Sequence, residues 1–141
     1  MRYLALDVGD ERIGVAISDP EGILARPLEV IPRRPGPSSF LRLAEIIAEN
    51  QVDVIVVGLP LLEDGTEGKQ VQSTRAYVRG LAKYVDIPIV YWDERYSTSR
   101  ATEIMIESGR KRRRRQERID AVAAAVILQE YLDNKAGGPH L

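Results

Sequence analysis

The chain contains no cysteine and only one histidine, and both scarcities exclude particular chemistry. Without cysteine there are no disulfides, no thiolate zinc sites and no cysteine nucleophile. The single histidine, His140, follows Gly137-Gly138-Pro139 in a segment that we expect to be frayed, so a serine–histidine mechanism is disfavoured. No apolar run is long enough to span a membrane, and the first residues form a strand rather than a signal peptide. We therefore expect a cytoplasmic protein with no membrane partner.

The length and composition indicate one globular domain. The chain has 141 residues, of which 44% are hydrophobic and 29% charged, which is typical of a chain that folds around its own core. We expect that domain to cover residues 1–134, followed by a flexible tail at 135–141. This length leaves little room for a second nucleotide-binding lobe.

The basic residues are concentrated in one segment. The formal net charge is only −1, but residues 110–118 contain seven basic residues and one acidic residue. This segment therefore carries +6 and the rest of the chain −7. A solvated loop or a sorting-like tract would explain the pattern, whereas a local contact with a polyanion would use it.

Hydrophobic patterning predicts the element order β-β-β-α-β-α-β-α-α. Short turns between the first three strands imply an antiparallel meander, and the later alternation of strands and helices implies parallel strands. The predicted α/β fold is a mixed five-stranded sheet with helices on its faces. Pro27 argues for an edge strand or a bulge, and Ser38-Ser39 offers a helix N-cap. The predicted strands are 2–8, 13–18, 23–31, 52–57 and 87–92, and the helices 38–49, 67–84, 97–108 and 119–133.

Acidic residues lie at the ends of three elements that should be buried. Asp7 is near the end of the first strand, Asp93 and Glu94 follow the fifth strand, and Asp120 opens the last helix. Alone, each has a simpler explanation, such as a turn residue or an acid that favours the helix dipole by ~0.3–1 kcal/mol. A carboxylate beside a core needs compensation, which a divalent cation would supply. Because strand residues alternate, only one of Asp93 and Glu94 should face such a cation.

Several blocks of the sequence together resemble the YqgF/RuvX family. They keep the family's order and cover nearly the whole chain. The blocks include Asp7-Val8-Gly9, Val57-Gly58-Leu59-Pro60, Asp64-Gly65-Thr66, Asp93-Glu94-Arg95 and Ile119-Asp120-Ala121-Val122.

The resemblance implies an RNase H-like fold and a nuclease that hydrolyses phosphodiester bonds. The family is described as a Holliday junction resolvase, with a proposed role in maturing the 5′ end of pre-16S ribosomal RNA. Carried over by position, the catalytic and metal-binding residues are Asp7, Glu94 and Asp120, with Asp93 as a substitute ligand. We expect two cations, Mg²⁺ or Mn²⁺, with Asp7 bridging both while Glu94 and Asp120 each hold one.

Basic and hydroxyl groups supply candidate contacts to nucleic acid. Thr66 and the amides at the start of the following helix could bind a phosphate, with help from Lys69, although the segment also fits an ordinary strand–helix connection. Gly9 and Gly14 would let the backbone approach a ligand or phosphate closely. The remaining candidate contacts are all basic: Arg95, Arg100, Arg110, Lys111, Arg112, Arg113, Arg114 and Arg115.

Other functions remain open at this point. Asp7 to Gly14 loosely fits the phosphate hairpin of actin-like ATPases, which need two lobes. A non-catalytic nucleic-acid-binding module would keep the fold without cleavage. The substrate is structured RNA or branched DNA, and the chain is a monomer or a homodimer, because symmetric resolution of a four-way junction needs two active sites.

Overall fold

A five-stranded mixed sheet forms the centre of the structure, a computed structural model that describes residues 1–94 and 112–136. The strand order is β3-β2-β1-β4-β5. The pairs β1–β2 and β2–β3 are antiparallel, whereas β1–β4 and β4–β5 are parallel. This arrangement confirms the predicted sheet. The strands are β1 (Tyr3–Val8), β2 (Arg12–Ser18), β3 (Ala25–Pro32), β4 (Val54–Leu59) and β5 (Ile89–Asp93).

Helices cover both faces of this sheet. They are α1 (Ser38–Asn50), α2 (Lys69–Leu81) and α3 (Arg112–Ala136). One face packs Leu4 and Leu6 of β1 in a cluster with residues of α1 and α2. On the other face, Ala5 and Ala16 pack with Leu128 of α3. Their small side chains let α3 lie close to the central strands, and this is the face that carries the candidate site.

Strands β1 and β4, which pair with each other in the middle of the sheet, are buried on both faces. In β4, Ile55, Val56 and Val57 are all fully buried, as the continuous β-branched run predicts. A carboxylate in β1 or at the adjacent strand ends therefore lies next to a packed core rather than in open solvent.

The position of β3 confirms the expectation from Pro27. Within the described part of the chain, this strand pairs only with β2 and forms one edge of the sheet. The register also shifts between Val15 and Ala16, where β2 meets β3. An edge strand tolerates proline because the missing N–H would point away from the sheet.

Two predictions about the helices were wrong. Among the described residues, no side chain caps α1, which begins at Ser38. Ser39 is buried, and its hydroxyl instead accepts a hydrogen bond from Tyr77 (2.8 Å). The last helix begins at Arg112, seven residues before the predicted start, because arginine favours helix without adding to the apolar pattern.

The other described elements agree with their predicted bounds to within three residues. The predicted helix at 97–108 lies outside the described residues, as does its proposed cap at Ser97-Thr98-Ser99. Helix α3 continues to Ala136, past the predicted start of the tail, and 137–141 are not among the described residues. Within the described ranges, no helix combines the length and apolar character needed to cross a bilayer.

Candidate active site

Asp7 occupies the face of β1 that packs against α3. It shares this face with Tyr3 and Ala5, because side chains alternate along a strand. Burial and, secondarily, the charge of Asp120 raise the pKa of Asp7 from 3.8 to about 7. An ionised carboxylate here is therefore unfavourable without a compensating charge.

Helix α3 contacts β2 at a glycine that lies beside Asp7. Gly14 is the register partner of Asp7, and a Cβ at this position would overlap the backbone carbonyl of Asp120. Gly14 therefore lets a helix backbone approach closely. The prediction that it would admit a ligand or a phosphate was wrong. Because Gly14 has no side chain, α3 can bring Asp120 next to Asp7.

Glu94 reaches the same face from the end of β5. A Cβ on Gly58 would collide with the Glu94 carboxylate and with the side chain of Ile127 in α3. The carboxylate therefore lies over β4, beneath the helix. Burial, followed by the charges of Asp7 and Asp93, raises the pKa of Glu94 to about 8.

The structure separates Asp93 from Glu94. Asp93 pairs with Leu59 in the β4–β5 register. By strand alternation it belongs with Tyr91, which packs on the α1 and α2 side, whereas Trp92 packs on the α3 side. Glu94, rather than Asp93, thus shares the face of Asp7.

The acidic cluster includes one arginine that was not predicted as a site residue. The Nε of Arg12 donates to Oδ2 of Asp120 at 2.8 Å, across 108 residues of sequence. A cleft of about 340 Å³ opens beside this pair. It is lined by Gly9, Asp10, Glu11, Arg12 and Asp120.

The β1–β2 turn that carries Arg12 is tied to α2. The N–H of Gly9 donates to the carbonyl of Arg12 (2.8 Å), which closes the turn. Arg33 donates from Nη1 to the Gly9 carbonyl (3.0 Å) and to Ser73 Oγ (2.8 Å). Ser73 Oγ in turn donates to Asp10 Oδ1 (3.1 Å). The turn is therefore held from outside the sheet.

Of the described candidates for nucleic-acid binding, Thr66 and Lys69 form no hydrogen bond or ion pair with the three carboxylates. Thr66 donates from its hydroxyl to Asp64 Oδ1 (2.6 Å) and from its N–H to the same oxygen (2.9 Å). Lys69 is exposed at the start of α2. Residues 112–115 belong to the same helix as Asp120. Arg95, Arg100, Arg110 and Lys111 lie outside the described residues.

The donor chemistry of the cluster fits a divalent cation. Three carboxylates supply only oxygen, which suits Mg²⁺ and Mn²⁺. The raised pKa values of Asp7 and Glu94 show that negative charge is unfavourable here, and a cation would relieve this. Within residues 1–94 and 112–136, no three acidic or histidine side chains form a ready-made coordination shell. Binding one ion through all three would therefore require at least one side chain to turn.

Solved structures with the same fold act on branched DNA. RuvC from Thermus thermophilus, in complex with a Holliday junction substrate, matches with a TM-score of 0.57 at 17% identity, covering 97% of this chain and 96% of that one. The fowlpox virus resolvase, in complex with Holliday junction DNA, matches with a TM-score of 0.56 at 10% identity, covering 96% and 99%. At these identities the likeness shows the fold, which is RNase H-like.

Sequence comparisons identify the family. The RuvX family profile, described as "Holliday junction resolvase", matches residues 1–134. A Desulforamulus reducens protein named "Putative pre-16S rRNA nuclease" is 46% identical, covering 96% of this chain and 99% of its own length. A protein of the same name from a Ruegeria species is 48% identical, covering 92% and 83%. The chain therefore belongs to the RuvX family of nucleases.

Proposed function

We propose that this protein is a metal-dependent nuclease that processes the 5′ end of pre-16S ribosomal RNA in the cytoplasm. The observation that carries this proposal is the convergence of Asp7, Glu94 and Asp120 from three elements on one sheet face. The names of the relatives support the RNA substrate. Resolvases and RNase H-like nucleases generally use divalent metal ions, in keeping with the oxygen-only cluster.

In this proposal the three carboxylates hold two cations, Mg²⁺ or Mn²⁺. Asp7 would be the shared ligand, since its carboxylate lies near enough to those of Asp120 and Glu94 for their charges to interact. When bound, the cations supply a water of lowered pKa and stabilise the charge of the leaving oxygen. Partial burial by α3 removes much of the water around the carboxylates and strengthens their interaction with positive charge.

The basic segment would guide the nucleic acid past this centre. At 1.5 Å per residue, Arg112 lies about 12 Å from Asp120 along the axis of α3. Contacts from Arg112–Arg115 to phosphates would position the backbone without reading sequence. The other proposed contacts are Thr66, Lys69, Arg95, Arg100, Arg110 and Lys111.

A cleavage assay tests the proposal directly. A labelled RNA carrying the 5′ end of pre-16S ribosomal RNA is incubated with the protein and Mn²⁺, with D7N as the matched variant. We expect cleavage by the wild-type protein, and its loss in D7N and in EDTA. Binding that persists in EDTA, with no cleavage in Mn²⁺, would instead favour a non-catalytic nucleic-acid-binding module.

Resolution of Holliday junctions is the second candidate function, and the family description favours it. The same assay with a labelled four-way DNA junction tests it side by side. Symmetric resolution requires two active sites, so this function also predicts a dimer in sedimentation or light scattering. A monomer that cuts only the RNA would exclude it.

A further inference from the structure

Arg12 forms a short ion pair with Asp120. Its Nε lies 2.8 Å from Oδ2 of Asp120, and the two side chains are 35% and 18% exposed. Its weaker contact, from Nη1 to Glu11, is 3.5 Å and involves a side chain that is 82% exposed. The shorter and less exposed contact should be the stronger one, because water screens it less.

The backbone of Arg12 is fixed independently of Asp120. Arg12 begins β2, where it pairs with Pro32 of β3. Its carbonyl accepts the hydrogen bond that closes the turn from Gly9, and Arg33 holds the carbonyl of Gly9. The guanidinium therefore extends toward Asp120 from a backbone position that does not depend on the ion pair.

Two contacts with β2 define where Asp120 lies. Gly14 sets the distance of the helix backbone, since its missing side chain admits the Asp120 carbonyl. Arg12, two residues earlier on the same face of β2, holds the carboxylate itself. Backbone and side chain of Asp120 are thus both held by the strand that pairs with Asp7.

We propose that Arg12 is a positioning residue that orients the carboxylate of Asp120 for cation binding, an inference that rests on the proposed nuclease function. A carboxylate accepts interactions from about four directions, so a guanidinium and a cation can share it. Partners of this kind orient a metal-ligating group and are worth ~10–100-fold in metal affinity or activity.

A direct contact between Arg12 and the substrate is the competing role. The guanidinium lines the cleft beside Asp120, where a phosphate could reach it. Three other residues of this cleft, Asp10, Glu11 and Asp120, are acidic, which disfavours an anion there. A substrate contact would raise KM, whereas a positioning role lowers kcat.

The test compares R12Q and R12K with R42Q as the matched control. Arg42 is similarly exposed (37%) and also donates from Nε to a carboxylate, that of Glu29, at 2.8 Å. It belongs to α1, which packs on the other face of the sheet. Mn²⁺ binding is followed through quenching of Trp92, the single tryptophan, which pairs with Gly58 beneath the Glu94 carboxylate. Cleavage kinetics give kcat and KM separately.

We expect R12Q to weaken Mn²⁺ binding and to lower kcat by ~10–100-fold, with KM nearly unchanged. R12K should recover much of both losses because it restores one charged donor, and R42Q should match the wild type. In EDTA, R12Q should lower the urea midpoint of unfolding in the wild-type background but not in the D120N background. This result would show that Arg12 and Asp120 stabilise the fold through their contact with each other.

Two results would overturn the assignment. The first is a rise in KM with kcat unchanged. The second is Mn²⁺ binding by R12Q that is as tight as in the wild type or tighter, which would mean that Arg12 does not position Asp120 for the cation. If the wild type cleaves neither nucleic acid, the proposed function fails, but the Mn²⁺ titration and the unfolding cycle still decide the role of Arg12.

Discussion

Replacing Asp7 with asparagine should stabilise the metal-free protein while abolishing cleavage. Burial and the charge of Asp120 raise the pKa of Asp7 from 3.8 to about 7. Because the folded pKa exceeds the unfolded value, Asp7 does not reduce the stability of the fold below pH 3.8, where it is protonated in both states. The stability falls as the pH rises from 3.8 through about 7. At about 1.4 kcal/mol per pKa unit, ionised Asp7 destabilises the fold by about 4 kcal/mol.

Asparagine carries no charge and avoids this penalty. In EDTA we therefore expect D7N to be more stable than the wild type by about 4 kcal/mol near pH 8.5 and by about 2 kcal/mol near pH 5. Urea unfolding followed by circular dichroism at the two pH values measures the difference. D86N is the control, because Asp86 is exposed in the connection between α2 and β5, and its substitution should leave the stability unchanged.

Saturating Mn²⁺ should reverse this order, because a cation that binds only the folded wild type stabilises it by mass action. A D7N variant that is no more stable than the wild type near pH 8.5 would refute the reasoning. It would mean that the carboxylate is solvated or already compensated, and burial of Asp7 would then give no reason for a bound cation.

Three further outcomes follow from the packing and the charge pattern. G14A should lower the free energy of unfolding by ~1–3 kcal/mol or more and slow cleavage, because its methyl group would displace α3 at Asp120; an unchanged urea midpoint would contradict this. G58A should lower the free energy of unfolding by ~1–3 kcal/mol and reduce activity, because its methyl group would move Glu94. The control G68A should leave both unchanged, because its methyl group would meet only the side chain of Leu62 at ordinary contact distance. Replacing Arg112–Arg115 with glutamine should weaken nucleic-acid binding and flatten its salt dependence by about 0.7–0.9 for each phosphate that is no longer neutralised; an unaltered slope would remove these residues from the interface.

The positions of the carboxylates could be predicted because each interrupts or follows an apolar segment. Asp7 lies in a strand buried on both faces, and Asp120 precedes the buried residues Ala124 and Leu128 of α3. Alternation along a strand also separates Asp93 from Glu94. It does not say which of them faces α3, and only the register with β4 decides that.

Arg12 and the glycines show what local patterns miss. Arg12 meets Asp120 only after β2 and α3 have packed together, and no periodicity connects positions 108 residues apart. Gly14 looks like a ligand-binding glycine in the sequence, yet it accommodates a helix backbone. A partial signal was available, because alternation places Arg12 and Gly14 on the same face of β2, and Gly14 pairs with Asp7.

The sequence by itself determined the element order, the mixed sheet and the acidic residues at strand and helix ends, because hydrophobic periodicity and turn residues are local properties. Tertiary structure alone decided which acids share a face, which arginine holds Asp120 and where α3 meets the sheet. Those outcomes depend on register and on contacts between distant segments. The raised pKa values of Asp7 and Glu94 arise only when folding buries carboxylates that are far apart in the sequence.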